Sequence, residues 1–355
     1  MNQKHNLRFG VIGAGRIGKL HAENLATRIP NVEVAAIADV DSKSAQDLAD
    51  HLHIPVALED YHTILSDPSI NAVAICSSTD THASIIMEAA RASKHIFCEK
   101  PIALNLEKID AALAEVEKAG VKLQIGFNRR FDPNFRKIRA MVIEGKIGAP
   151  HIIRITSRDP APPPISYIRV SGGMFLDMTI HDFDMARYLS GSEVEEVYTA
   201  AGVMVDPAIG ESGDVDTAII TLRFANGAIG TIDNSRKAVY GYDQRVEVFG
   251  SNGMIQAHNK TPDQDVYFNA DGVHSSKPLY FFLERYMESY VAEMQEFVRS
   301  IRENISPPVT GIDGRIPVVI GMAAKKSYLE HRPVKLTEIT TQPKAKDLTH
   351  TAEGA

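Results

Sequence analysis

Gly13-Ala14-Gly15-Arg16-Ile17-Gly18 has the spacing G-x-G-x-x-G, directly after the apolar run Leu7–Ile12 and ahead of an amphipathic stretch from Arg16 to about Thr27. In a strand–turn–helix setting the first such glycine allows the tight turn, the second lets backbone approach a pyrophosphate, and the third permits close helix–strand packing. The helix start then offers unpaired N–H groups to phosphate charge. Asp39 follows Gly18 by 21 residues, at the end of a second apolar run. A carboxylate there can hydrogen-bond the ribose hydroxyls of a dinucleotide. A 2′-phosphate would meet its negative charge, and no Lys or Arg follows until Lys43, so the pattern favours NAD over NADP. The competing reading is a ligand-free glycine turn, with Asp39 as a solvated turn residue or helix cap.

Glu99-Lys100-Pro101 ends the apolar run His95–Cys98. Ligands of open α/β sheets bind beyond the carboxyl ends of the strands, which puts Lys100 beside the cofactor unless it is ordinary solvated surface. An ammonium there can offset charge developing on a substrate oxygen. Farther along, Gly172-Gly173-Met174-Phe175-Leu176-Asp177-Met178-Thr179-Ile180-His181-Asp182-Phe183-Asp184 places Asp177 and His181 four residues apart. On a helix they share a face, and a carboxylate beside an imidazole can fix its tautomer and raise its basicity. A helix cap followed by an unremarkable histidine would give the same spacing. A metal set drawn from Asp177, His181, Asp182 and Asp184 fits poorly, because positions 181 and 182 face different ways and no cysteine or second spaced histidine completes it. Hydride transfer to NAD needs no metal, and none is expected.

These residues need elements to hold them. Apolar runs at 7–12, 32–38, 71–77, 95–98 and 121–127 alternate with helical patterns at 16–27, 42–51, 82–93 and 106–119. That alternation predicts βαβ units and a parallel sheet, and the near-continuous Val/Ile/Ala runs predict cover on both faces. After Phe127 the texture changes. Helical patterns at 134–144 and 176–189 flank a strand at 151–157 and a stiff loop from Asp159 to Pro164. Period-2 runs at 193–204, 216–224, 228–234 and 244–249 follow, with Ala225-Asn226-Gly227 and Ser251-Asn252-Gly253 as hairpin turns. This predicts an antiparallel meander, closed by helices near 279–302 and 316–331. The expected fold class is α/β: a Rossmann dinucleotide-binding domain over 1–126, an α+β domain with a large open, mostly antiparallel sheet over 127–338, and a polar tail over 339–355.

Composition limits the alternatives. The chain has 355 residues, 44% hydrophobic and 23% charged, enough for about two domains. A net charge of −7 argues against a nucleic-acid partner. The N-terminal stretch reads as neither a signal peptide nor a membrane span, and two cysteines, Cys76 and Cys98, suit a reducing compartment. A cytoplasmic protein with no membrane partner is expected.

The glycine turn, Glu-Lys-Pro, the Gly-Gly-x-Phe-Leu-Asp-x-x-x-His-Asp segment and the strands after it resemble the Gfo/Idh/MocA oxidoreductases, from about Arg8 to Leu336. Two stretches, SRDPAPPPISYIRVSGGMFLDMTIHDFDMARYL and DNSRKAVYGYDQRVEVFGSNG, are most similar to the branch that oxidises a ring hydroxyl of myo-inositol to the inosose with NAD. The resemblance implies that Lys100 contacts the reacting hydroxyl, that His181 takes its proton and that Asp177 holds the imidazole. It implies cofactor contacts from Gly13, Gly15, Arg16, Ile17, Gly18, Asp39, Ser78, His82, Glu99 and Lys100. For the substrate it implies Lys100, Asn128, Arg129, Asp159, Asp177, His181, Tyr240 and Tyr242. Asn128 and Arg129 could instead form a domain-interface turn, and Tyr240 and Tyr242 could simply alternate at a strand end. Some relatives have Asn in place of Asp159 and Thr in place of Met178, so the preferred stereoisomer stays open. A scyllo-inositol or glucose-type dehydrogenase is the alternative on this scaffold, and a non-catalytic NAD(H) sensor is the alternative of another class. The resemblance also implies a homotetramer assembled through the open sheet. Apolar residues in both registers of 217–222 need such cover.

Overall fold

The computed structural model describes residues 6–340. Its first third follows the predicted alternation: β1 (Leu7–Ile12), α1 (Arg16–Thr27), β2 (Val32–Ala38), α2 (Ser42–Leu52), β3 (Ala57–Leu58), α3 (His62–Ser66), β4 (Ala72–Ile75), α4 (Thr79–Arg91), β5 (His95–Glu99), α5 (Leu106–Ala119) and β6 (Leu123–Gly126). Local chemistry marks the helix ends. Asp41 accepts from the Lys43 N–H to start α2, Asn105 accepts from the Lys108 N–H to start α5, and Gly120 stops α5 at φ 67°. The strands lie in the order β3-β2-β1-β4-β5-β6, all parallel. β4 is buried along its whole length, as a strand covered on both faces must be. The order reverses between β1 and β4. At that switch point the carboxyl ends leave a crevice for a ligand.

The second part comprises α6 (Pro133–Ile143), β7 (Pro150–Arg158), α7 (Ile165–Ser171), α8 (Ile180–Ser190), β8 (Val194–Gly202), α9 (Pro207–Glu211), β9 (Thr217–Phe224), β10 (Ile229–Ser235), β11 (Asp243–Gly250) and β12 (Gly253–Ala257). The ribbon β13 (Val266–Asn269) and β14 (Gly272–Ser275), then α10 (Phe282–Arg285), α11 (Met287–Arg302), α12 (Gly311–Glu330), β15 (Val334–Lys335) and α13 (Thr337–Thr340) complete it. Its large sheet runs β12-β11-β7-β10-β9-β8-β15. The predicted meander holds for β8-β9-β10 and for β11-β12, but β7 lies between β10 and β11, parallel to the first and antiparallel to the second. The seven-residue connection 236–242 is long enough to cross it, whereas the Asn226-Gly227 turn, with Gly227 at φ 86°, permits only neighbouring strands. The segment 159–164 is a loop as expected, but it leads into α7, which the sequence reading did not separate from its prolines. The closing helix predicted over 279–302 is divided at Tyr286.

One face of this sheet is packed by α6, α8 and α12. The opposite register, including Tyr198, Ile219, Ile229 and Phe249, is exposed in the single chain. The helices late in sequence join the two parts. Met294, Phe297 and Val298 of α11 pack with Phe9, Leu25 and Phe97 of the first domain, and Val309 and Val318 pack with Ile102, Ile109 and Ile125. Each such fully buried side chain contributes about 1.5–3 kcal/mol. The two parts are therefore joined by a shared core. Among the described residues no helix is long and apolar enough to cross a membrane. Of the expected polar tail, 341–355 lie outside the described residues.

Candidate active site

The glycine turn has the geometry its spacing implied. Gly13 sits at φ 103°, and a Cβ there would come within 2.6 Å of the Cys76 backbone. A Cβ on Gly18 would lie 1.9 Å from Gly13 O, whereas one on Gly15 would meet nothing within 4 Å. The first and third glycines are thus required by packing, and the second faces open space where a phosphate can approach. Helix α1 has no side chain capping its start and no acidic residue in its first turn, so its leading N–H groups are free to meet an anion. Asp39 accepts from the Ala14 N–H at 2.6 Å and from the Asp41 N–H at 2.9 Å. These bonds fix the carboxylate at the edge of the same turn. The residues present therefore fit NAD.

The other expected cofactor residues divide. Arg16 is exposed, with its guanidinium 5.6 Å from the Phe281 ring centroid, and Ile17 packs against cores of both domains. Ser78 is exposed at the start of α4. His82 is buried, with Nδ1 2.8 Å from Pro101 O and Nε2 3.0 Å from Ser77 O. It clamps the loop after β4 to the Lys100-Pro101 turn, and burial lowers its pKa. Glu99 is also buried and turns toward His21, whose Nε2–H donates to it at 2.7 Å.

Lys100 and Asp177 meet, although 77 positions separate them in sequence. Lys100 Nζ donates to Asp177 O at 2.8 Å and to Asp177 Oδ1 at 3.2 Å. Tyr167, from α7, also donates to Oδ1 at 3.0 Å. Asp177 lies in a π-helical turn, Met174–Met178, ahead of α8; such turns recur at functional sites. His181 opens α8 and packs edge-on against Phe127, with centroids 5.9 Å apart. Its Nδ1 is buried without a hydrogen-bond partner. The expected Asp177–His181 hydrogen bond is absent among the described residues: Asp177 Oδ1 accepts from Lys100 and Tyr167 instead. Burial, then the Lys100 and Arg129 charges, hold the His181 pKa well below 6.5. The imidazole is therefore uncharged at neutral pH and able to accept a proton.

Asp182 and Asp184, weighed in the sequence as metal ligands, belong to buried ion pairs. Arg129 donates to Asp182 at 2.5 Å, and Arg130 Nε and Nη2 bind Asp184 at 2.9 and 2.6 Å. Asn234 also donates to Asp182 at 2.9 Å, and Arg129 reaches toward Tyr242 Oη at 3.5 Å. Asn128 donates to Ser289 Oγ at 3.3 Å. Asp159 has no side-chain hydrogen bond among the described residues. Burial, reinforced by Asp177 and Asp182 and opposed by Arg236 and Arg129, pushes it up to about 7. Tyr242 is buried, edge-on to Tyr286. Tyr240 is not brought to the catalytic set: it donates to Asp243 at 2.6 Å and accepts from Arg158 at 3.0 Å.

Three residues near the site escaped sequence reasoning. Tyr167 lies just after the prolines at 162–164, whose presence masks the helical pattern of 165–171. Arg236 is fully buried close to Asp159 and 3.5 Å from Asp214. Glu293 is buried with both carboxylate oxygens unpartnered. His21, Glu99 and Glu293 bring potential ligand atoms within 4.8 Å of one another. Burial and then Glu99 raise Glu293 well above the carboxylate range. The 2.7 Å His21–Glu99 hydrogen bond lies beside it.

A dinucleotide turn at the switch point of a parallel sheet, with a lysine at the carboxyl end of another strand of that sheet, fits a two-domain NAD-dependent oxidoreductase. Comparison with known proteins gives that class a family. The chain belongs to the Gfo/Idh/MocA oxidoreductases: residues 7–127 match the model for the oxidoreductase family's NAD-binding Rossmann fold, and residues 135–256 match the GFO/IDH/MocA C-terminal domain. It is 53% identical over 333 residues to the myo-inositol 2-dehydrogenase of Thermotoga maritima, covering 94% of this chain and 99% of that one. It is 43% identical over 331 residues to the inositol 2-dehydrogenase of Rhizobium meliloti, covering 93% and 99%. The structure of scyllo-inositol dehydrogenase from Lactobacillus casei with bound NAD(H) and scyllo-inositol superposes with a TM-score of 0.88 at 29% identity, covering 94% and 99%.

Proposed function

We propose that the protein oxidises a ring hydroxyl of myo-inositol to the inosose with NAD, in inositol catabolism. The observation that carries this reading is the Lys100–Asp177 contact, with the Lys100 charge felt at a buried His181, in a chain whose near full-length relatives are named for inositol oxidation. When bound, NAD supplies the acceptor for the hydride. The Gly13–Gly18 turn, the start of α1 and Asp39 orient it. Lys100 Nζ stabilises negative charge growing on the reacting oxygen, and His181 accepts the hydroxyl proton at a ring nitrogen, for which its uncharged state is required. Asp177 orients Lys100 through Oδ1. Its Oδ2 has no partner among the described residues, leaving an acceptor for a second hydroxyl or for the imidazolium once formed.

Asp159 contributes a ring-hydroxyl contact as a carboxyl that can donate or accept near neutral pH. Tyr242 shapes the wall beside it. Arg129 and Asn128 support the substrate side through Asp182 and Ser289. Tyr240 would reach an inositol only after leaving Arg158 and Asp243. The exposed register of the large sheet supports homotetramer assembly, and two free, buried cysteines suit a cytoplasmic setting.

The test is NADH absorbance with purified protein, NAD⁺ or NADP⁺, and a panel of myo-, scyllo- and chiro-inositol and glucose. Strong NADH production with myo-inositol is expected. Preference for scyllo-inositol or glucose would replace the substrate and keep the chemistry. NAD binding without turnover on any of them would overturn the inositol reading and favour a sensor.

A further inference from the structure

We propose that Tyr167 is a positioning residue of the oxidation, holding the Asp177 carboxylate against Lys100 from the short helix α7; the part of the proposal that concerns turnover rests on the inositol reading above. Its phenol donates to the same Oδ1 that receives Lys100 Nζ, at 3.0 and 3.2 Å respectively. Two donors on one oxygen select one carboxylate orientation and leave the other oxygen free to accept. Without Tyr167, Asp177 would be fixed from one side only, by an ammonium on a flexible stem.

The placement of α7 suits this task. Prolines at 160, 162, 163 and 164 lead into it. It ends at Gly172, φ 92°, where a Cβ would come within 2.7 Å of Leu104 Cδ2 and 2.9 Å of Leu176 Cβ. Both ends of the helix are therefore held, and the second is tied directly to the segment carrying Asp177. The Tyr167 ring has no aromatic partner among the described residues, and the residue is 46% exposed, so core packing does not account for its position. Burial of the hydroxyl end and then Asp177 raise the phenol's pKa, with Arg236 and Arg16 opposing. It remains a proton donor across the working range.

The test is Tyr167→Phe, which keeps the ring and removes the donor. Thermal midpoint, NAD affinity and inositol KM should stay at wild-type values, while kcat falls about tenfold, the scale of one hydrogen bond to a charged group. The primary isotope effect on kcat with ring-deuterated inositol should rise as chemistry becomes slower. A second readout needs no turnover: labelling of Lys100 by an amine-reactive reagent, followed by peptide mass spectrometry, should speed up when Asp177 is released. Wild-type kcat together with wild-type Lys100 labelling would overturn the proposal, as would a loss of activity that tracks loss of fold or of NAD binding. If the wild-type protein oxidises no inositol, the function fails separately, and the labelling rate still decides whether Tyr167 holds the pair.

Discussion

Asp159→Asn gives the site a stability signature that can be worked through in advance. Asp159 is a carboxyl raised from 3.8 to about 7, chiefly by burial. The folded protein therefore binds more protons than the unfolded chain between those values, and stability falls as pH rises through that window. Asparagine keeps the shape and removes the ionisation. By linkage the variant gains little at pH 4, about 2 kcal/mol near pH 5, and about 4 kcal/mol above pH 7, where the advantage levels off. His181 acts in the opposite sense. Buried and uncharged in the fold, it makes both proteins lose stability as pH falls below 6.5, so its effect cancels in the difference. Urea unfolding of both proteins at matched pH from about 4 to about 8 measures the curve. An offset independent of pH, or a variant less stable than wild type at about pH 8, would refute the claim that the fold holds this carboxyl in a charge-averse position.

Other consequences are simpler to state. His181→Ala should bind NAD normally and lose about 10²–10⁴-fold in kcat; in the wild type, kcat/KM for oxidation should decline on the acid side only well below pH 6.5, where the imidazole takes up a proton. Asp39→Ala, which removes the acceptor held by the Ala14 and Asp41 N–H groups, should weaken NAD and narrow its advantage over NADP, read by cofactor titration. Asp182→Ala leaves the buried Arg129 charge uncompensated and should cost about 3–5 kcal/mol in denaturant unfolding.

What could be read in the sequence was what is decided locally. The glycine turn, Asp39 and the strand–helix alternation of the first domain depend on neighbours within about 20 residues, and the structure follows them closely. The insertion of β7 beside β10 depends on a pairing 77 positions apart, which period-2 patterning does not encode. Side-chain partners were hidden for the same reason. Spacing alone joined Asp177 to His181, while the fold gives Asp177 to Lys100 and Tyr167. Asp182 and Asp184 looked like candidate ligands until Arg129 and Arg130 arrived from another element. Helix α7 was obscured by the prolines that position it.

The central claim is that this site moves a hydride from an inositol carbon to NAD while the chain takes the hydroxyl proton. Myo-inositol deuterated at every ring carbon, incubated with the protein and NAD⁺, tests it by mass spectrometry of the reduced cofactor. Deuterium carried quantitatively into the reduced cofactor, with inosose formed in equal amount, is the predicted result. Reduced cofactor without deuterium, or deuterium released to water, would contradict the account.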